Sequence, residues 1–262
     1  MTIVTFDEAG VCANCGGSPG LKFCEQCGQK SKTERLNAFQ LLKVGILTVL
    51  DADAKVLMTL KALLINPGQV ALDYISGARV RYINPIKLFF VSVAIMVAVV
   101  AMTGEVATTM KATGSSAADM ADLDAQAGTD MVGIMVAMEY VIATWLQGLV
   151  VFTMPLFCLL VTAQHRKRGR NYAEVLVLTC YTYGFANLLG VLVSIAMFLS
   201  GYFFIWLKLI IIAGYFMMSA RTFFALSNVR TVFSFILSAL LYIVAMYLVL
   251  IPFVSARYAG FL

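Results

Sequence analysis

No charged residue occurs between Glu174 and Lys208, between Arg230 and Arg257, or between Glu139 and Arg166. A helix crosses a hydrocarbon core of about 30 Å with roughly 20 apolar residues. Uncharged runs of this length dictate a membrane body. Charged residues make up 13% of the chain and hydrophobic ones 61%, against about 25% and 45–50% in soluble domains. The expected fold class is an all-α membrane protein. About five transmembrane helices, near 87–102, 139–162, 173–199, 201–219 and 232–254, follow a small cytosolic zinc ribbon and amphipathic helices. Three regions result: a ribbon at 1–32, cytosolic or interfacial amphipathic helices at 33–86, and a transmembrane domain at 87–262 with an external loop at 104–137. No signal peptide is expected, because Met1–Gly10 carries Asp7 and Glu8 and has no apolar core.

Residues 12–27 read CANCGGSPGLKFCEQC. Cys12 with Cys15, and Cys24 with Cys27, are two C-x-x-C pairs. Four thiolates can surround one Zn²⁺ tetrahedrally, and a set of four cysteines leaves no open position for a catalytic water. Gly16 and Gly28 follow the second cysteine of each pair, where glycine tolerates the backbone of a tight knuckle. Ser18-Pro19-Gly20 suits a turn between the pairs. Leu21 and Phe23 are expected to cover one side of the site. The same cysteines would also serve two disulfides or a rubredoxin-like iron site. A reducing compartment disfavours the first, and the short loop disfavours the second. Cys158 and Cys180 lie in apolar runs and read as small core residues.

Leu36, Phe39, Leu42, Ile46 and Leu50 fall at helical spacing. This run either lies in the membrane interface or packs on a cytosolic domain. Asp51 or Asp53 can cap a following helix on which Leu57, Leu60 and Leu64 share a face. Asn66-Pro67-Gly68 ends that helix, and a short one runs from Gln69 to Ser76 with Gly77 beyond it. The stretch from Asn66 to Pro85 thus forms a collar between the charged head and the apolar body. Lys and Arg set the orientation. The head, the collar, HRKRGR at 165–170, Arg221 and Arg230 fall on one side, and only Lys111 and Arg257 on the other. The N-terminus is therefore expected in the cytosol and the C-terminus outside.

The residues Thr59-Leu60, Leu63-Leu64, Pro67-Gly68, Tyr74-Ile75, Gly77, Arg79, Tyr82 and Pro85 follow a ribbon ending Phe23-Cys24-Glu25-Gln26-Cys27-Gly28. This combination resembles a bacterial family of uncharacterised zinc-ribbon membrane proteins with a T-L-x-x-L-L-x-x-P-G…Y-I-x-G-x-R-x-x-Y-x-x-P segment. The likeness covers residues 12 to about 90. It implies the architecture and a bacterial inner membrane, and supplies no catalytic residues. The five-span plan is also similar to that of Yip1-type trafficking proteins, with no shared motif.

Lys208 is an intramembrane cation, which snorkels, pairs within the bundle or serves an ion or substrate site. Glu139 is its expected partner. Thr179, Tyr183, Asn187 and Ser194 recur along the third span, with Gln147 on the second. They read as interhelical glue, or as a polar path around Lys208, Glu139, Asn187 and Tyr183. Ala186 and Gly190 form a small-xxx-small pair. Arg79, Arg81, Arg166 and Arg168 could meet anionic headgroups. His165 is the only histidine and reads as a surface residue among basic neighbours. Without a second histidine or a nucleophile–base pair, an enzyme is not expected. The expected partners are membrane lipids and a cytosolic protein that docks on the ribbon, with no nucleic acid. The alternative is a transporter or lipid-handling protein.

Overall fold

The computed structural model describes residues 3–4, 11–12, 14–17, 22–30, 33–34, 55–112, 131–202 and 205–258. The turn at 18–20, Leu21, the helix expected at 36–50, the cap at Asp51 or Asp53, loop residues 113–130, and the side chains of Glu139 and Gln147 lie outside the described residues.

Two short strands, β1 (Ile3–Val4) and β2 (Thr33–Glu34), pair antiparallel with Ile3 opposite Glu34. The helices are α1 (Lys55–Ile65), α2 (Pro67–Ser76), α3 (Pro85–Thr103), α4 (Glu105–Ala112), α5 (Met131–Gln164), α6 (Tyr172–Ser200), α7 (Ile205–Phe223) and α8 (Asn228–Tyr258). Asn-Pro recurs as a start signal. The Asn66 side chain accepts from the Gln69 N–H at the head of α2, and Asn84 accepts from Ile86 and Lys87 at the head of α3. Proline in the first turn removes an N–H that would lack a helical partner anyway. This explains why α2 begins at Pro67 rather than at Gln69. Asn171 and Glu174 close a reciprocal capping box on α6.

Among the described residues, α3, α6, α7 and α8 are long and apolar enough to cross a membrane. At 19 residues, α3 is about 28 Å long. The fifth expected span falls in α5, a helix of 34 residues that runs uninterrupted through Pro155. Among its described residues, Val150–Gln164 is an apolar stretch. The expected loop at 104–137 is helical at both ends. Gly104, at φ 61°, stops α3, and Glu105 places a carboxylate in the first turn of α4, where the helix dipole favours it.

Helix α6 is the hub. It packs against α3 most extensively, then against α7, α2, α5 and α1. A Cβ on Gly184 would lie 3.3 Å from the Phe89 backbone, so glycine sets this close approach. Farther along, the Asn187 amide donates to the Ser92 carbonyl at 2.9 Å, and Ser194 meets the Met96 sulfur. α3 and α6 therefore run parallel. Thr182 donates to Ser219 at 2.8 Å while Lys208 reaches Ser194, so α7 runs antiparallel to α6. Leu192, Phe198, Trp206, Ile210, Phe233 and Leu248 face outward, as the flank of a bundle solvated by lipid requires.

The collar lies where α3 and α6 begin and α7 ends. Gly68 abuts α7: a Cβ there would be 2.6 Å from the Ser219 carbonyl oxygen. Six residues on, the Tyr74 ring meets the fully buried Tyr181 edge-on at 5.7 Å. The Thr182–Ser219 bond puts these two contacts at one level of the bundle. α2 therefore runs across the α6–α7 pair, not along it. The Tyr181 hydroxyl donates to the Ile83 carbonyl at 2.6 Å, and the Ile83 N–H donates to the Thr59 hydroxyl at 3.0 Å. Thr59 and Leu63 are the buried residues of α1, whereas Leu57 and Leu64 point outward. Of the leucine stripe read from the sequence, Leu60 packs against the core while Leu57 and Leu64 are exposed, because the collar presents a backbone group that Thr59 satisfies.

Candidate functional site

The two C-x-x-C segments fold as matched knuckles. The Cys12 carbonyl accepts from the Gly16 N–H at 2.8 Å, and the Cys24 carbonyl accepts from the Gly28 N–H at 2.8 Å. The Cys12 N–H returns to the Gly17 carbonyl, and the Cys24 N–H to the Gln29 carbonyl. Gly16 and Gly28 sit at φ 74° and 70°, in the left-handed region that disfavours a side chain. The four sulfurs then lie within 4.8 Å of one another. Cys12 and Cys27 are 3.7 Å apart, and Cys15 and Cys24 are 3.5 Å apart. A disulfide requires about 2.05 Å. A tetrahedron of metal–sulfur bonds of about 2.3 Å has edges of about 3.8 Å. The cage fits one metal ion shared by all four, and none of the six cysteines is in a disulfide.

The thiols are unequal. The Gly17 N–H lowers Cys15, but desolvation and bonds to Cys24, Cys27 and Cys12 outweigh it and push Cys15 up to about 12. Burial raises Cys27, but the Gln29 N–H, the Asn14 side chain, Cys15 and Cys12 outweigh it and lower Cys27 to about 6. A thiolate thus forms readily at Cys27 while Cys15 holds its proton, and a cation shared by the cage would favour the ionised form of each ligand.

Phe23, expected to cover one side of the cage, is 52% exposed. Its backbone pairs with Lys30. The ribbon is seated on the collar through the knuckles themselves. The buried Gln29 donates its side-chain amide to the Gly77 carbonyl and accepts from the Val80 N–H at 3.4 Å. Asn14, inside the first knuckle, accepts from the Arg81 N–H at 2.9 Å. The turn between α2 and α3 is thereby held by both halves of the cage. Tyr82 donates to Asp73 at 2.9 Å, and Gln69 donates to the other Asp73 oxygen at 2.7 Å. Neither Gln29 nor Asn14 stood out in the sequence. Their only local signal is a carboxamide within and just after a cysteine pair.

The basic residues gather at the collar end. Arg81, Arg166, Lys167 and Arg168 are exposed and Arg79 is half-buried. The Arg170 guanidinium lies 5.0 Å over the Phe223 ring, and Arg81 lies 5.5 Å over Tyr82. His165 is not the surface residue expected. It is buried, stacked on Phe224 at 4.0 Å, with Nδ1 3.0 Å from the Val161 carbonyl and Nε2 3.2 Å from the Ser234 hydroxyl. An imidazole flanked by an aromatic face and a carbonyl gains more from burial than from water.

At the opposite end, the buried Lys208 pairs with Glu105 of α4 and donates to Ser194 at 2.6 Å. The partner among the described residues is thus Glu105, which follows the αL turn at Gly104; the side chain of the expected Glu139 lies outside them. The other Glu105 oxygen, Oε2, is buried with no hydrogen-bond partner among the described residues. Asn187 and Tyr183 serve packing: Asn187 bonds Ser92, and Tyr183 lies 5.7 Å from the Phe89 ring. Cys158 and Cys180 are buried core residues.

Residues 53–97 match the model of a family described as a protein of unknown function (DUF3667). The match covers α1, α2, the collar turn and most of α3, and stops short of the cysteines. No curated protein and no solved structure matches the chain.

Proposed function

We propose that this is a non-enzymatic protein of the bacterial inner membrane whose structural zinc ribbon forms a cytosolic docking head for a protein partner. The observation that carries this reading is the closed four-thiol cage clamped to the collar by Gln29 and Asn14. Four sulfurs at these separations suit Zn²⁺ and leave it no open position for chemistry. A head fixed to the membrane body presents its outer surface in one orientation. Phe23, half exposed beside Lys22 and Glu25, is the aromatic anchor such an interface would use. The cations at the collar end favour an N-terminus in the cytosol and a C-terminus outside, with Arg79, Arg81, Arg166 and Arg168 at the anionic headgroups.

The experiment is in vivo crosslinking followed by affinity recovery of the full chain. Phe23→Ala is expected to retain zinc and lose a recovered partner, and Cys24→Ser to lose both. A partner profile unchanged in both variants overturns the docking role.

A second reading, transport or lipid handling, is favoured by one observation: the buried Lys208–Glu105 pair with its unsatisfied oxygen. Intramembrane ionisable groups mark ion and substrate paths. This reading predicts flux in proteoliposomes that Lys208→Met abolishes. Absence of flux across a panel of lipids and metabolites removes it.

A further inference from the structure

Helix α1 presents a face that the other described residues leave uncovered. Leu57, Met58, Lys61, Leu64 and Ile65 are all exposed, and their spacing places them on one side of the helix. Leu57 is 77% and Ile65 70% exposed. The opposite side, Thr59 and Leu63, is buried against the collar. Four large apolar side chains in one patch are not left to water without a cause.

We propose that α1 is an in-plane membrane helix, with Leu57, Met58, Leu64 and Ile65 immersed in the acyl boundary of the leaflet that borders the collar. Three observations select lipid as the occupant. The patch is continuous with the lipid-facing flank of the bundle, because the Tyr215 hydroxyl of α7 donates to the Leu64 carbonyl at 3.5 Å and Ile212, one turn away, faces outward. At 11 residues, α1 is about 16 Å long, too short to span, so it can meet lipid only by lying in the interface. Lys61 is the only charge within the stripe, and no acidic residue occurs in Lys55–Ile65. A lysine stem can carry that charge to the phosphate layer, where Arg81, Arg166, Lys167 and Arg168 are also exposed. The leaflet surface is thereby fixed at α1, and the metal cage sits directly above the headgroups. This inference needs only the membrane body and the placement of α1. It stands or falls apart from the docking role of the ribbon.

The test is single-tryptophan quenching of the full, metal-loaded chain in nanodiscs. With Trp145→Phe and Trp206→Phe as background, tryptophan is introduced by Leu57→Trp, Met58→Trp, Leu64→Trp or Ile65→Trp. All four are exposed positions that accommodate an indole. Lys22→Trp, exposed on the ribbon, is the water-facing control. The expected result is blue-shifted emission, strong intensity loss with brominated lipid and little with acrylamide at the four α1 positions, and the reverse at the control. Acrylamide quenching on α1 equal to that of the control overturns the proposal. So does protection from both quenchers, which would mean that a second copy or residues 36–50 of the chain cover the face.

Discussion

Gln29 reaches across 48 residues of sequence to hold the carbonyl of Gly77, and it does so from within the metal knuckle. Its backbone carbonyl accepts from the Cys24 N–H while its side chain caps the end of α2. One residue therefore belongs to the cage and to the collar. In Gln29→Ala the Val80 N–H loses the Gln29 acceptor and the Gly77 carbonyl keeps only the Arg79 N–H, at a cost of about 1–3 kcal/mol for a buried group. The expected outcome is faster hydrogen exchange at 78–81 with bound metal retained. Unchanged exchange there shows that the amide holds nothing.

Removing the ion acts on the same turn from the other side. Cys24→Ser breaks the cage, and metal content is expected to fall from about one ion per chain to about none. Exchange at 78–81 should rise as in Gln29→Ala, because a knuckle without its ion no longer orients Gln29 and Asn14. The helical circular dichroism of the bundle should be unaltered, since the core of α3 to α8 contains none of the four ribbon cysteines. Metal analysis and exchange on one preparation check both.

Gly68→Ala is expected to destabilise more than Gly184→Ala. The new Cβ would stand 2.6 Å from the Ser219 carbonyl oxygen in the first case and 3.3 Å from its nearest neighbours in the second. Overpacking of the first kind costs about 1–3 kcal/mol. Thermal unfolding in detergent ranks the two.

Breaking the buried pair at the opposite end should be costlier still. Lys208→Met or Glu105→Gln alone leaves one charge without its counter-ion, worth about 3–5 kcal/mol, and the double variant should recover much of the loss. Unfolding in detergent measures all three.

His165 gives the fold a dependence on pH. Burial, the main cause, lowers its pKa below 6.5; the Val161 carbonyl raises it, and Arg168 lowers it again. The folded state binds the proton less readily than the unfolded chain does. Stability is therefore full above pH 6.5, the ordinary value, and declines as the pH falls below it. Melting temperatures from about pH 8 to about pH 5 should show the decline. His165→Phe, which keeps a ring against Phe224, should flatten it.

The ribbon was legible because its chemistry is local: two cysteine pairs and two glycines specify both knuckles without reference to the rest of the chain. The spans were legible because uncharged runs mark their lengths, whereas the Asn-Pro start of α2 read as a helix end. Partners were not. Glu105 follows directly on the glycine that ends α3, and nothing near it in sequence announces Lys208. His165 sits among cations, and only the return of the chain at Phe224 supplies the ring that buries it. Burial itself was the hardest quantity to read. In a soluble protein a leucine stripe faces the core. In this one Leu57 and Leu64 of the α1 stripe face out and only Leu60 meets the core, and Thr59 faces in because the Ile83 N–H needs an acceptor.

The crosswise lie of α2 has a mechanical meaning. Its ten residues make a rod of about 15 Å. One end is wedged into α7 at Ser219, and the other is bolted to the cage at Gly77. The metal knuckle and a lipid-facing helix, distant in sequence, share a single lever. A tilt of α7 in the bilayer and a loosening of the four sulfurs are then two ways of moving the same short arm.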